Sequence, residues 1–382
     1  MTQDRIYLSP PFVDEAEKQE LNFALDSGWI APYGPKIGEF QEALARRFGF
    51  ANILCVSSGT AALHLAVKLC GVTNGDKVLV GSLTFVAAAN AVLYEGGEPV
   101  FIDSEIESWN IDPDLLEQKL IDSQKRGEKI KGVIVTHIYG RPAQMQRIKN
   151  ICVRYGVKLI EDAAEALGAQ VEGASVGTFG DYAILSFNGN KIITASGGGA
   201  LVCKAETDAD KARFWASQSK DQAEHYEHSE VGYNYGFSNL LAGVGLAQLN
   251  KLDDFLSRKK EILDYYIRSF SDWDIFELDQ STYAGSNNWL SVFLIKNEVV
   301  GMVSPAELVA ELEQDNIEAR RFWKPLHQQP LFGDSDSQLN GVSQGLFERG
   351  ICLPCGVGLS SNDQDRVVEA LRALFSRIGF LK

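Results

Sequence analysis

The stretch that decides the fold is residues 181–200, DYAILSFNGNKIITASGGGA. Its apolar run, 182–187, reads as a buried strand, and Asn188-Gly189-Asn190 reads as the turn that ends it. One lysine, Lys191, follows, then Ile192-Ile193, then the cluster Gly197-Gly198-Gly199. An ordinary loop lysine is a solvated charge. Lys191 is flanked instead by a hydrophobic strand and a second apolar pair, where an ammonium is costly to bury. Burial favours the neutral amine, and a neutral amine attacks carbonyls. Lys191 is therefore expected to hold a cofactor aldehyde as a Schiff base.

Working outward toward the N-terminus, short apolar runs alternate with helical patterns. Strands are expected at 53–56, 78–81, 99–102, 132–136 and 157–161, and helices at 60–70, 86–94, 112–120 and 144–155. This alternation predicts an α/β fold, with a mostly parallel sheet covered by helices on both faces. Ligands of such sheets gather at the carboxyl ends of the strands. Two amphipathic helices, 14–25 and 37–48, precede the first strand. The loop between them, SGWIAPYGP, is rich in Gly, Pro and aromatics. Trp29 and Tyr33 on that loop fit a ligand cover and a plain surface crossover equally well.

The chain has 382 residues, 45% hydrophobic and 23% charged, which is an ordinary soluble composition and more than one small core can absorb. Two domains are expected, a large one over 1–250 and a smaller α/β one over 251–382. A net charge of −15 argues against nucleic-acid binding, which needs a basic surface. An anionic ligand must then be met locally, by helix N-termini and a few cations. The six cysteines sit mostly in apolar runs and read as buried thiols. Cys352-Leu353-Pro354-Cys355 lacks two further ligands at zinc spacing and ends a strand-like segment, so it reads as structural and no metal is expected. The start, MTQDRIYLSPP, does not read as a signal peptide, and no apolar run approaches membrane-spanning length. A reduced, cytoplasmic protein is expected.

Three further groups fall at expected strand ends. Ser57-Ser58-Gly59-Thr60-Ala61-Ala62 opens a helix, where small residues and free N–H groups can cradle an anion; many helices also begin this way for capping. Phe85 could stack on a planar ring, although a core phenylalanine is the commoner case. Glu161-Asp162 ends a buried strand, where a carboxylate needs a partner. Asp162 suits a protonated ring nitrogen, and taken alone it suits an internal cap or ion pair better. The combination changes the weighing. A phosphate cradle, a ring face, a ring-nitrogen partner and an aldehyde-capturing lysine match pyridoxal 5′-phosphate piece by piece.

With these motifs the chain resembles the DegT-type nucleotide-sugar aminotransferases, which have the aspartate-aminotransferase fold. The matching segments are SGWIAPYGP, SSGTAALHLA, TFVAAANAV, EPVFID, EDAAEALGA, GTFGDYAILSFNGNKIITASGGGA, HYEHSEVGYNY, RRFWKPLHQQP and GICLPCG. They are most similar to the PglE-like C4 aminotransferases of bacterial glycan synthesis, which act on UDP-2-acetamido-2,6-dideoxy-hexos-4-ulose in bacillosamine formation. The resemblance implies a large sheet of seven-stranded type and a smaller C-terminal domain. It makes Lys191 the Schiff-base lysine, Asp162 the pyridinium partner and Phe85 the aromatic over the ring. Gly59, Thr60, Ala61 and Ser186 become phosphate contacts, and Glu165 lies beside the cofactor hydroxyl. Asn234 reaches the phosphate from a second subunit, which implies a homodimer with shared sites. L-glutamate is the implied amino donor, and Lys324 and His327 match a stretch near the sugar or pyrophosphate.

Two positions depart from the family pattern. Gly236 stands where relatives commonly have Arg, which leaves Arg320 or Arg321 as the replacement cation. Cys355 replaces a usual Ser. Within the family, the other reading is a C3 or C4 aminotransferase on a dTDP- or GDP-linked keto sugar. Relatives that remove a hydroxyl carry His at the lysine position, which Lys191 opposes. A non-catalytic paralogue is opposed by the presence of both Lys191 and Asp162. A dinucleotide-binding dehydrogenase is opposed by SSGTAA, which has one glycine where that fold needs three.

Overall fold

The computed structural model describes residues 4–278 and 284–381. The strands, in chain order, begin with β1 (Asn52–Val56), β2 (Lys77–Gly81), β3 (Glu98–Ile102), β4 (Ile130–Thr136) and β5 (Lys158–Asp162). A small hairpin follows, β6 (Gln170–Val171) and β7 (Ala174–Ser175), then β8 (Tyr182–Ser186) and β9 (Gly199–Cys203). The C-terminal part adds β10 (Phe276–Glu277), β11 (Ser291–Ile295), β12 (Arg320–Arg321), β13 (Ser337–Gln338) and β14 (Gly350–Leu353).

The large sheet runs β1-β9-β8-β5-β4-β2-β3-β13. Pairing is parallel from β8 to β13, and β9 lies antiparallel to both β1 and β8. The expected sheet of seven strands is present, and the eighth, β13, comes from the C-terminal segment. Its two polar residues, Ser337 and Gln338, carry no apolar alternation by which to read a strand. The small sheet, β10-β11-β14-β12, is antiparallel throughout.

The strands of the large sheet read as continuous apolar runs because both faces are buried. Val78, Val80, Ile134, Ile160 and Ile184 pack on one face with the helix Gly59–Leu69. The alternate residues Leu79, Val133, Val135 and Leu159 pack on the other, with the helix Met145–Tyr155. The helix expected at 112–120 continues from Pro113 to Arg126, because good helix formers carry on after the apolar period ends. Asp112 caps it, accepting from Asp114 N–H at 2.8 Å.

We propose a division into 1–250 and 251–382, which falls between the helices Asn239–Asn250 and Leu252–Phe270. Several contacts cross it. Leu252 and Phe255 pack with the large sheet, while Ile262 and Tyr266 pack with the small one. Ile6 also returns to bridge Ile317. No helix among the described residues is long and apolar enough to cross a membrane.

Candidate active site

Four strand ends meet at the site. β1 ends at Val56 and delivers Ser58, whose Oγ caps the helix Gly59–Leu69 by accepting from Ala61 N–H at 3.0 Å. That cap occupies the Ala61 amide, which leaves the first-turn N–H groups of Gly59 and Thr60 as the anion cradle at this helix N-terminus. Gly59 is closely packed: a Cβ there would lie 3.2 Å from Ser186 Cβ and 3.4 Å from Ser186 Oγ. Ser186 is the last residue of β8 and pairs with Gly199 of β9. Gly59, Thr60 and Ser186, expected to share an anion, thus lie at adjoining strand ends, with Gly59 packed directly on Ser186.

β5 ends in two carboxylates with different fates, because neighbouring strand residues face opposite ways. Glu161 accepts from the N–H groups of Gly177, Phe179 and Gly180 at 2.8, 2.6 and 2.7 Å, so it serves the loop that leads into β8. Its other neighbour is His137 Nε2 at 3.4 Å. Asp162 faces the other way. Among the described residues it accepts one hydrogen bond, from Ala164 N–H at 3.2 Å. It is 5% exposed, too buried for so few partners. Burial pushes its carboxyl above the usual range, against the pull of Lys191 and His137.

Lys191 lies beyond β8, with its side chain 12% exposed. Among the described residues its Nζ makes no hydrogen bond, and its nearest carboxylate oxygen is Glu165 Oε1 at 3.9 Å. The surface-charge reading of this lysine therefore fails. Burial pulls its amine below the usual lysine range, opposed by Glu165 and Asp162. Glu165 in turn is pushed up to about 8 by burial, and its Oε2 accepts from Tyr139 N–H at 2.6 Å.

Phe85 is 57% exposed, so the core reading fails for it as well. Its ring leans on Trp323, centroids 5.6 Å apart. An open aromatic, a buried carboxylate with spare acceptor capacity, a buried unbonded amine and a helix N-terminus are the parts a pyridoxal phosphate ring needs. The residues present fit that group.

Beside Lys191 lies a cavity of about 410 Å³, walled by Tyr7, Asn190, Trp289, Trp323, Arg320 and Arg321 among others. Arg320 is exposed and paired with Glu318 at 2.7 Å, and the Arg321 guanidinium lies 4.1 Å over the Phe347 ring. His327 meets Ser82 Oγ through Nδ1 at 2.6 Å, and burial holds its imidazole below the usual range. Lys324 is exposed and lies outside this cavity wall. Trp29 and Tyr33 stand on the loop after the first helix, edge to face at 5.7 Å, also outside it. That loop is pinned by Asn239, which donates to Trp29 O at 2.8 Å and accepts from Lys36 N–H at 2.9 Å. Asn234 is exposed and bridges Ser217. A Cβ on Gly236 would lie 2.9 Å from Pro32 Cβ, so an arginine there would displace this loop.

The profile of the DegT/DnrJ/EryC1/StrS aminotransferase family matches residues 11–372. The chain belongs to that family. It is 46% identical over 98% of its length to EpsN of Bacillus subtilis (strain 168), 97% of which is covered and whose name describes a pyridoxal phosphate-dependent aminotransferase. It is 34% identical to the GDP-perosamine synthase of Escherichia coli O157:H7, over 96% of this chain and 97% of that one. Among solved structures, the aminotransferase TlmJ of Streptoalloteichus hindustanus superposes with a TM-score of 0.89 at 29% identity, over 98% of this chain and all of that one. The chain is thus a pyridoxal phosphate-dependent sugar aminotransferase.

Several residues at the site have no signal in the sequence. Tyr139 supplies its N–H to Glu165 from a left-handed backbone, φ 53°. Asn287 ties Glu165 O and Leu167 O at 2.8 and 3.0 Å. Trp289 covers Lys191 with its ring. The last two come from a part of the chain about a hundred residues after Lys191, in SNNW, which has no periodic pattern of its own.

Proposed function

We propose that this chain transfers the amino group of L-glutamate to C4 of a nucleotide-linked 4-keto-6-deoxy sugar, UDP-2-acetamido-2,6-dideoxy-hexos-4-ulose. The observation that carries the transamination is the buried, unbonded amine of Lys191 beside the under-partnered carboxylate of Asp162. The adjacent cavity, about 410 Å³ with aromatic walls and two arginines, has the size of a ligand site and suits a sugar with a charged phosphate.

Bound pyridoxal phosphate supplies an electron-withdrawing ring that makes a C–H bond of the attached substrate acidic. Asp162 keeps a proton on the ring nitrogen. Lys191 would hold the cofactor, and its amine would be the base that takes the proton from the donor Cα and then the acid that gives it back. In the second half it moves a proton the other way, onto C4 of the sugar. Glu165, kept protonated near neutrality by burial, can donate to a ring oxygen while Tyr139 N–H steadies its other oxygen. Gly59, Thr60 and Ser186 hold the phosphate, while Ala61, expected to join them, has its N–H taken by Ser58 Oγ; Phe85 covers the ring, and Asn234 of a second copy completes the cradle. Arg320, Lys324 and His327 are assigned to the sugar nucleotide; Arg320 is on the cavity wall, whereas Lys324, His327, Trp29 and Tyr33 lie outside it.

The UDP assignment is supported by Glu165, the residue that PglE-like enzymes share. A GDP-linked sugar is the second reading, favoured by the 34% identity with a GDP-perosamine synthase. Incubation with UDP-, GDP- and dTDP-linked 4-keto-6-deoxy sugars plus L-glutamate, with NMR of the product, separates them. Amination of the UDP sugar at C4 is expected; amination of the GDP sugar alone overturns the assignment. Lys191→Ala is expected to abolish turnover and borohydride-stable cofactor attachment, and retained turnover would sink the reading of Lys191.

A further inference from the structure

Among the described residues Lys191 is a buried amine without a hydrogen-bond partner, and besides Glu165 Oε1 at 3.9 Å it has an aromatic neighbour. The Trp289 ring centroid lies 4.2 Å from its Nζ. Trp289 is 2% exposed and is held at three points. Its indole Nε1–H donates to Asn190 O at 2.7 Å, next to Lys191 in the chain. Its backbone N–H donates to Asn287 Oδ1 at 2.9 Å. Its carbonyl accepts from Lys259 Nζ at 2.8 Å. Lys259 is itself buried, with Ser9 Oγ at 3.1 Å and Cys355 Sγ at 3.7 Å as its other contacts. A second lysine is thus taken out of water and spent on fixing one tryptophan.

We propose that Trp289 is the positioning residue for Lys191, its indole face receiving the side-chain nitrogen whenever Lys191 is not joined to the cofactor. A ring face attracts the ammonium through its quadrupole without taking one of its N–H groups. It therefore seats the cation and leaves the nitrogen lone pair free after the proton departs. An acid in hydrogen-bond contact would clamp the lysine as an ion pair; here Glu165 Oε1 stands off at 3.9 Å and Asp162 acts only through its charge. A nitrogen that must carry a proton between two carbons gains from such a seat.

This rests on Lys191 being the lysine that captures the cofactor, and the test separates the two ideas. Cofactor-free protein is mixed with pyridoxal phosphate across a pH series. Capture is followed by its visible absorbance, fixed with borohydride, and located by peptide mass. Capture needs the neutral amine. The ionisations of the cofactor, and of the titratable groups facing Lys191 (Glu165 and Asp162), are common to all variants. Loss of the ring destabilises the ammonium, so the midpoint of the capture profile for Trp289→Leu moves to lower pH by roughly one unit. Trp289→Phe, which keeps a weaker π face, moves it the same way by less, and serves alone if the leucine variant does not fold. A midpoint that is unmoved or raised overturns the proposal, including the case in which Trp289→Leu only raises KM for the sugar as a lost cavity wall. An adduct on a lysine other than Lys191 overturns the assignment of Lys191 instead.

Discussion

Two adjacent carboxylates at one strand end show how far a residue can be read by its type alone. Glu161 takes three loop amides, while Asp162 takes one and faces the lysine. For Asp162→Asn we expect kcat to fall by several orders of magnitude, comparable with the ~10⁴ cost of losing a charge-positioning carboxylate in a hydrolytic triad. Circular dichroism should stay native, because the amide can still accept from Ala164 N–H. Activity within a few-fold of the parent would refute the assigned role. The sequence made this carboxylate pair visible, and strand alternation separates its members only once the burial of each face is known. The burial of Lys191 was legible because it lies between a hydrophobic strand and a second apolar pair. Trp289 was not, since its proximity to Lys191 is created by the fold, and a tryptophan in an apolar segment reads as core.

At the scale of elements, Asp103 joins the two parts of the chain. It follows β3 and is fully buried. It accepts from the N–H groups of Ser104, Asn340, Gly341 and Ser343 at 2.8, 3.0, 2.8 and 2.9 Å, and also from the Ser343 hydroxyl. The last of these residues open the helix Val342–Arg349. Burial works against the charge, yet the hydrogen bonds from Ser343, Ser104 and Gly341 together hold the carboxyl below its usual value. The depressed value fixes the sign. The stabilisation is present above the ordinary carboxyl value of 3.8 and is lost as the pH falls through the lowered one. Asp103→Asn is expected to cost about 2–4 kcal/mol, because a buried network loses its charge-assisted bonds. Denaturant melts at neutral and acid pH check this. The gap between parent and variant should narrow in acid, and a gap independent of pH would remove Asp103 as its source. The sequence showed EPVFID as a strand followed by an acid, but its partners other than Ser104 lie more than two hundred residues later and follow no local pattern.

For the whole molecule, the question is how many chains make one site. Phe23, Leu25, Trp29, Ile30 and Tyr33 are exposed on the first helix and the loop after it, and Asn234 is exposed as well. The homodimer proposed above predicts complementation. Lys191→Ala and Asn234→Ala variants, each crippled alone, should regain partial turnover when unfolded together and refolded as a mixture. Hybrid dimers would carry one site with both lesions and one with neither. No recovery, with hybrids demonstrated by mass, would place Asn234 in the site of its own chain or outside it. The strands β1 to β5 were readable from alternation, whereas the eighth strand of the large sheet was too short to announce itself. That strand bears on biosynthesis. β13 pairs Ser337 and Gln338 with Phe101 and Ile102. Until Gln338 has left the ribosome, β3 therefore ends the sheet with an open row of amides and carbonyls, the kind of edge on which nascent chains recruit one another. A chain terminated before β13 would keep the Phe101 and Ile102 edge of β3 unpaired.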